Sequence, residues 1–513
     1  MDGAESVILQ CANEKGNGVG PSVAADCEAN KLAEVTEGLA RITATAEGGE
    51  TFYNRVQEFN RDLTVVVLRA FAAERPNEKE PKTEEEGPKA KQRKMDEGKA
   101  PEANAAQSQS RAFSVLDALS ASGLRAIRFA LEVPNVTRVV ANDFSEKAFE
   151  AIRRNVQLNG VQDKVEAVFS DAIDLMMAHR KFGKRFHAAV MDGGLLMVTC
   201  TDTAILCGNT PEACFNKYGS VSLRHKSCHE LALRILLRAI DAHANRHKRY
   251  IVPLLSVSVD FYVRCFVRIR SGAAMAKDSV TKLANVNCCA TCQSLDFQPL
   301  LKKSVIRIGS SPRGTVRRVD GRTNGGQMRA LWGTAIHTGG PIWVAPTWDT
   351  EFVGKLLAIL KGPEAGQLRL GTRERLEGLL TVLSEELPDM PLFYEHDQLM
   401  VVMKCPSPKM NVFRSALLNA GFRCSISHCN PRAVKTDAPT SFLWDVCREW
   451  AKRNGITAKG MAEAGRTVRA VAFWRRKRSL KSTSAPIRIP SQRANSSECF
   501  DFRTIKAKIG AQK

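Results

Sequence analysis

Asp117, Asp143 and Asp171 each close an apolar run, and a turn of small residues, Ser120-Ala121-Ser122-Gly123, lies between the first two. A carboxylate at the end of a strand accepts hydrogen bonds from both hydroxyls of a ribose, and the 26-residue step from Asp117 to Asp143 is near the spacing for that role. Small residues let a ligand approach the backbone and the N-terminus of a following helix. The turn holds one glycine, Gly123, where a dinucleotide fingerprint has three. That disfavours a pyrophosphate cradle and favours a nucleoside without phosphates, such as S-adenosylmethionine. A plain structural corner shares this spacing and stays open as the alternative.

The elements that must position these residues read as a βαβ unit. Residues 113–119 form an apolar strand, and Leu124, Ile127 and Leu131 fall on one helical face. Val139 and Val140 open a second strand that stops at Asn142-Asp143. Ser145 is placed to cap the next helix, marked by Phe149, Ile152 and Val156 and ended by Asn159-Gly160. Strands follow at 165–169, 185–190 and 195–200, then a long helix carrying Leu233, Leu236, Leu237 and Ile240, and strands at 253–259 and 261–269. Upstream, Leu63, Val66, Val67 and Phe71 suit one face of a helix. Phe52, Tyr53, Asn60, Arg61 and Asp62 beside it are placed either to close over a ligand or to pack on the sheet.

The chain of 513 residues has room for two or three domains. Its 75 Lys and Arg against 54 acids give a net charge of +21, which suits a polyanionic partner, the alternative being a basic tail on an indifferent enzyme. Fifteen scattered cysteines show no disulfide framework and point to a reducing compartment. No apolar run is long enough for a membrane, and the N-terminus shows no clear signal peptide. Residues 1–34 read as poorly ordered. Residues 74–110, with mixed charges, several prolines and no aromatic, read as a disordered insertion in a first domain of 35–270. A second domain, 271–450, has helices near 352–361, 373–386 and 408–420 and a strand at 423–427. The tail, 451–513, carries Trp474, Arg475, Arg476, Lys477 and Arg478 in a row, which suits nuclear import, a phosphate-contacting arm or a solvated tail.

The segments FYNRVQEFNRDL, DALSASGLRAIRFALEV, ANDFSEKAFEAIRRNVQLNG and TCTDTAILCGNTPEACFNKYGSVSLRHKSCHELALRIL, with FYVRCFVRI, GGPIW, PLFYEHD and KTDAP, cover most of residues 36–440. In these pieces and their order the chain resembles the tRNA (guanine(26)-N(2))-dimethyltransferase family. The resemblance implies an α/β fold: a Rossmann-like class I methyltransferase domain followed by a family-specific α+β C-terminal domain. It implies methyl transfer from S-adenosyl-L-methionine to the exocyclic amine of guanine 26 in tRNA, with no membrane and no protein partner. Arg61, Arg125, Asp143, Asp171 and Ala172 would line the cofactor site, beside Asp117 and Gly123 of the first corner. His428 and Lys435-Thr436-Asp437 belong to the family's signature in its tRNA-binding region. The nucleus is the expected compartment, with mitochondrion and cytoplasm as alternatives.

Two departures from the family qualify this picture. The Asp-Pro-aromatic-Gly motif that would hold the guanine amine is missing after Val190, where Met191, Asp192, Gly193 and Gly194 alone separate two apolar segments. So short a link predicts a hairpin between the fourth and fifth strands, because parallel neighbours need a crossover of about a dozen residues. The catalytic residue is thus unassigned, with Asp192 the candidate, and a tRNA-binding homologue impaired in catalysis is the alternative reading. A dehydrogenase is a third. The second departure is that Cys289 and Cys292 match half of the family's zinc site while no cysteine pair precedes GGPIW. Two thiolates, even with His337, fall short of the four ligands of a structural zinc, so no metal is expected there. His229-Glu230 lacks a second His four residues on, so no metalloprotease motif is present.

Overall fold

The computed structural model describes residues 33–44, 53–74, 113–180, 186–188, 193–290, 293–308, 311–318 and 336–454. The sequence readings made for the N-terminal 32 residues, nearly all of the 74–110 insertion, Phe52, Val190, Asp192, Cys292 and the basic tail lie outside them. The described residues divide into two compact units. One holds those between 33 and 195 together with 354–377; the other holds 196–353 and 378–454.

The first unit opens with a hairpin of β1 (Ala33–Glu37) and β2 (Ala40–Ala44), then α1 (Glu58–Glu74). Leu63, Val66, Val67 and Phe71 of α1 are all buried, as their spacing predicts. There follow β3 (Phe113–Asp117), α2 (Leu124–Glu132), β4 (Val136–Asp143), α3 (Glu146–Leu158), β5 (Val165–Phe169) and α4 (Ala172–Ala178). Strands β3, β4 and β5 pair in parallel, Val115 opposite Val139 and Val139 opposite Val165. Leu116 and Val140 pack with Leu175 of α4 and with Phe186.

Two expectations are corrected here. Leu131 is 37% exposed, whereas Arg128, on the same helix, is wholly buried. The charge goes inside because carboxylates wait for it. Arg128 Nε and Nη2 each donate to Glu132 over 2.9 Å, and Nη1 donates to Glu37 over 2.8 Å. Nη1 also lies 2.7 Å from Asp62 Oδ1 at an angle poor for a hydrogen bond, so that contact is ionic. The hairpin turn at Gly38 (φ +62°) makes room: a Cβ there would sit 2.2 Å from a Glu132 oxygen. Only glycine allows both that backbone and that approach.

The second correction concerns the fourth strand. Among the described residues it reduces to Ala188, which forms parallel bridges to Val115 of β3 and to Leu195. His187 O accepts from Leu195 N over 3.1 Å. The predicted hairpin is therefore not formed. The parallel bridge and the Leu195 N to His187 O bond set Leu195 beside Ala188 in the same direction, which a two-strand hairpin would reverse.

In the second unit β6 (Leu195–Cys200), α5 (Thr203–Leu206), α6 (Pro211–Tyr218), α7 (Cys228–Arg246), β7 (Arg249–Val259) and β8 (Tyr262–Ser271) follow in order. The sheet order is β6-β8-β7, and Leu233, Leu236, Leu237 and Ile240 of α7 pack in one core with Ile251, Val263 and Val267. Strands Leu283–Cys289, Leu295–Pro299 and Ile336–Trp343 form an antiparallel sheet, and Tyr394–Glu395, Asn430–Thr436 and Cys424–Ser427 another. The helices read at 352–361, 373–386 and 408–420 are Thr350–Lys361, Arg373–Glu385 and Met410–Asn419. No helix among the described residues is long and apolar enough to cross a membrane.

Candidate cofactor site

The chain leaves β3 towards β4 and β5 on one side and returns to the other side at Ala188. The carboxyl end of β3 is therefore the point where strand order reverses, the place where open α/β sheets bind ligands. Asp117 ends β3, Asp143 ends the adjacent β4, and Ser170-Asp171 follow β5. Parallel register brings all three to one edge. Asn142 ties that edge together, its Nδ2 donating to Ala118 O and to Ser170 O, both over 3.0 Å.

Asp143 is buried and already orders the turn: Oδ2 accepts from Ala121 N over 2.9 Å and Oδ1 from Ser145 N over 3.1 Å. Each oxygen keeps a second lone pair for a ligand hydroxyl. Ala121 holds a left-handed φ of 50° and Gly123 one of 78°, just ahead of α2. Asp117 accepts from Ser120 Oγ over 2.9 Å and from Arg125 Nη2 over 2.6 Å, so both are engaged with each other. Asp171 caps α4, accepting from Ile173 N over 2.7 Å, and Ala172 is the first, buried residue of that helix. The amide of a first helical residue has no acceptor within its helix.

Arg61 makes different contacts. Its guanidinium grips Glu37 through Nε at 2.7 Å and Nη2 at 2.5 Å, and lies 5.3 Å from the centre of the Tyr53 ring. Burial pushes the Glu37 carboxyl up, but Arg61 and Arg128 more than reverse this and hold it below its ordinary value. Asp62 faces inward, accepting from Thr372 N and Oγ1 over 3.0 and 2.7 Å.

Sequence reasoning missed Glu37, Arg128 and Glu132, and also Asn155, whose Nδ2 donates to Ser122 O and whose Oδ1 accepts from Thr43 N, each over 2.9 Å. A lone polar residue on an apolar helix face gives no signal until its partners are known. Asn142 was readable as part of Asn142-Asp143, yet its span of two strand ends was not.

In the second unit the side chains of His428 and Lys435 are buried. Lys435 Nζ lies 2.7 Å from Glu386 and 3.1 Å from Glu230, and His428 Nδ1 lies 2.8 Å from Glu386. Burial raises the Glu386 carboxyl, yet His428 and Lys435 draw it well below its usual range. These charges are paired with internal carboxylates. Thr436 Oγ1 donates to Arg423 O over 2.6 Å, and Asp437 pairs with Arg423 at 2.8 Å. His337 stands opposite Cys288 across the strand pair, one residue from Cys289.

A parallel sheet with reversed strand order and acids closing three adjacent strands defines a class I methyltransferase domain. Residues 32–448 match the model of the N2,N2-dimethylguanosine tRNA methyltransferase family, and the chain belongs to that family. It is 47% identical over 469 residues to the tRNA (guanine(26)-N(2))-dimethyltransferase of Caenorhabditis elegans, covering 86% of this chain and 85% of that one. To the human enzyme of the same name it is 40% identical over 494 residues, covering 89% and 74%. Among solved structures, Trm1 from Pyrococcus horikoshii in complex with S-adenosyl-L-methionine superposes with a TM-score of 0.61 at 27% identity, covering 81% of this chain and 99% of that one.

Proposed function

We propose that this chain transfers methyl groups from S-adenosylmethionine to the exocyclic N2 amine of guanine 26 in tRNA. The observation that carries this reading is the acid-lined corner at the strand reversal, in a chain that belongs to this methyltransferase family. The residues fit the cofactor. Asp143 keeps a free lone pair on each oxygen for the ribose hydroxyls, and Asp171 with the Ala172 amide suits the adenine edge. The turn from Ser120 to Gly123 presents backbone rather than bulk, and the Asp117–Arg125 pair holds that turn from below. S-adenosylmethionine supplies the methyl group on its sulfonium. The protein's share is to orient the two partners and exclude water, because an aligned pair of reactants loses much of its entropic barrier.

The alternative of a homologue impaired in catalysis finds no support in the comparisons. Asp192, the single acid between Val190 and Leu195, is the first side chain to replace in seeking the group that holds the amine. The reading is tested by labelled methyl transfer to an unmodified tRNA transcript and to the same transcript with adenine at position 26. Label should enter the first and not the second; equal labelling would overturn the assignment.

The net charge of +21 supports tRNA as the polyanion. Phosphate contacts release counterions, so affinity for tRNA should fall about tenfold or more between roughly 50 and 200 mM salt. A flat response in a filter-binding titration would argue against a phosphate-dominated interface. For compartment, a Saccharomyces cerevisiae relative, 34% identical over 450 residues, is named mitochondrial, while the basic run at 474–478 favours the nucleus. Imaging of the tagged full chain with and without that run distinguishes them.

A further inference from the structure

Cys207, just past α5, and Cys228 and His229, the first two residues of α7, bring their ligand atoms within 4.8 Å of one another. They lie 21 residues apart in sequence, and the methyl-transfer chemistry makes no use of them. All three are half-buried. Two separate features hold them there. Gly208 takes φ +97°, and a Cβ on it would lie 2.5 Å from the Leu223 and Arg224 backbone. Only glycine lets the strand of chain carrying Cys207 pass so close to the approach to α7. On the other side the start of α7 is stiffened by His225, whose Nδ1 lies 2.7 Å from Ser227 Oγ and accepts from Ser227 N, while its carbonyl accepts from Cys228 N over 3.0 Å.

We propose that Cys207, Cys228 and His229 form a site for a soft divalent cation of the zinc class at the junction of α5 and α7, three protein ligands with the fourth position open to water. Zinc–sulfur bonds of about 2.3 Å and zinc–nitrogen bonds of about 2.0–2.1 Å at tetrahedral angles place ligand atoms somewhat under 4 Å apart, a small closure from the observed cluster. Two thiolates neutralise the dication, and one sulfur, sulfur and nitrogen set selects zinc, cobalt or cadmium over magnesium or calcium. This site is distinct from the half-motif at Cys289, which lies at the end of the strand Leu283–Cys289.

The test is a cobalt titration of the reduced full-length protein after chelator treatment. One equivalent should give a thiolate-to-cobalt charge-transfer band and tetrahedral visible bands, which zinc then removes. The double variant Cys207→Ser, Cys228→Ser should lose them, and Cys289→Ala should keep them. If the double variant fails to fold, His229→Gln with an unchanged circular dichroism spectrum should bind cobalt about tenfold or more weakly. No thiolate band in the parent would overturn the proposal. So would bands that survive the double variant or vanish with Cys289→Ala, equal affinity in His229→Gln, or a Cys207–Cys228 disulfide that persists in reductant and blocks the metal.

Discussion

Arg128→Met should destabilise the protein by about 3–5 kcal/mol, the range for removing one partner from a buried ion cluster. The guanidinium is wholly buried and faces Glu37, Asp62 and Glu132. Methionine fills much of the same space, so the loss reports charge rather than a cavity. Arg61 still serves Glu37, but Asp62 and Glu132 are left without the guanidinium. The pH response should then weaken. In the parent, Glu37 is held below its ordinary value by Arg61 and Arg128, so its contribution is present above the usual carboxylate range and is lost as acid drives the pH through its folded value. In the variant one of those two guanidinium groups is gone, so less stability remains for acid to remove. Urea unfolding of both proteins at about pH 7 and about pH 4 should show the gap narrowing on acidification. A difference below about 1 kcal/mol at neutral pH, or a gap that widens in acid, would refute this account.

Asp143→Ala should weaken S-adenosylmethionine binding by about 1.5–3 kcal/mol, roughly ten- to 150-fold. Charge-assisted hydrogen bonds to the ribose are one part of that loss. The other part follows from the observed geometry, since Ala121 N and Ser145 N both donate to this carboxylate. Removing it also frees the turn that the ligand must meet. Asp143→Asn separates the two effects: its one carbonyl oxygen can hold only one of those amides and carries no charge. Calorimetry should place Asn between parent and Ala. Equal affinity for parent and Ala would remove Asp143 from the site.

Much of this protein was legible in one dimension. Short apolar runs located β5 at 165–169 and β6 at 195–200 to the residue, and helical spacing located the four buried residues of α1 as a face. These are local signals, carried by residues a few positions apart. The acids closing β3 and β4 were readable for the same reason, because a strand's end is a local event. What tertiary structure alone decided involves partners far apart in sequence. Arg128 is inside and Leu131 outside because Glu37 and Asp62 arrive from elsewhere to satisfy the charge. Nothing local marks His428 and Lys435 for burial, but Glu230 and Glu386 take them into the interior. The parallel bridging of Ala188 to both Val115 and Leu195 was decided by strand pairing and not by anything local to the link after Val190. The approach of Cys207 to Cys228 and His229 belongs to the same class. Local periodicity follows from backbone geometry that every short segment carries with it; the burial of a charge is decided by whether a distant segment brings its counter-charge.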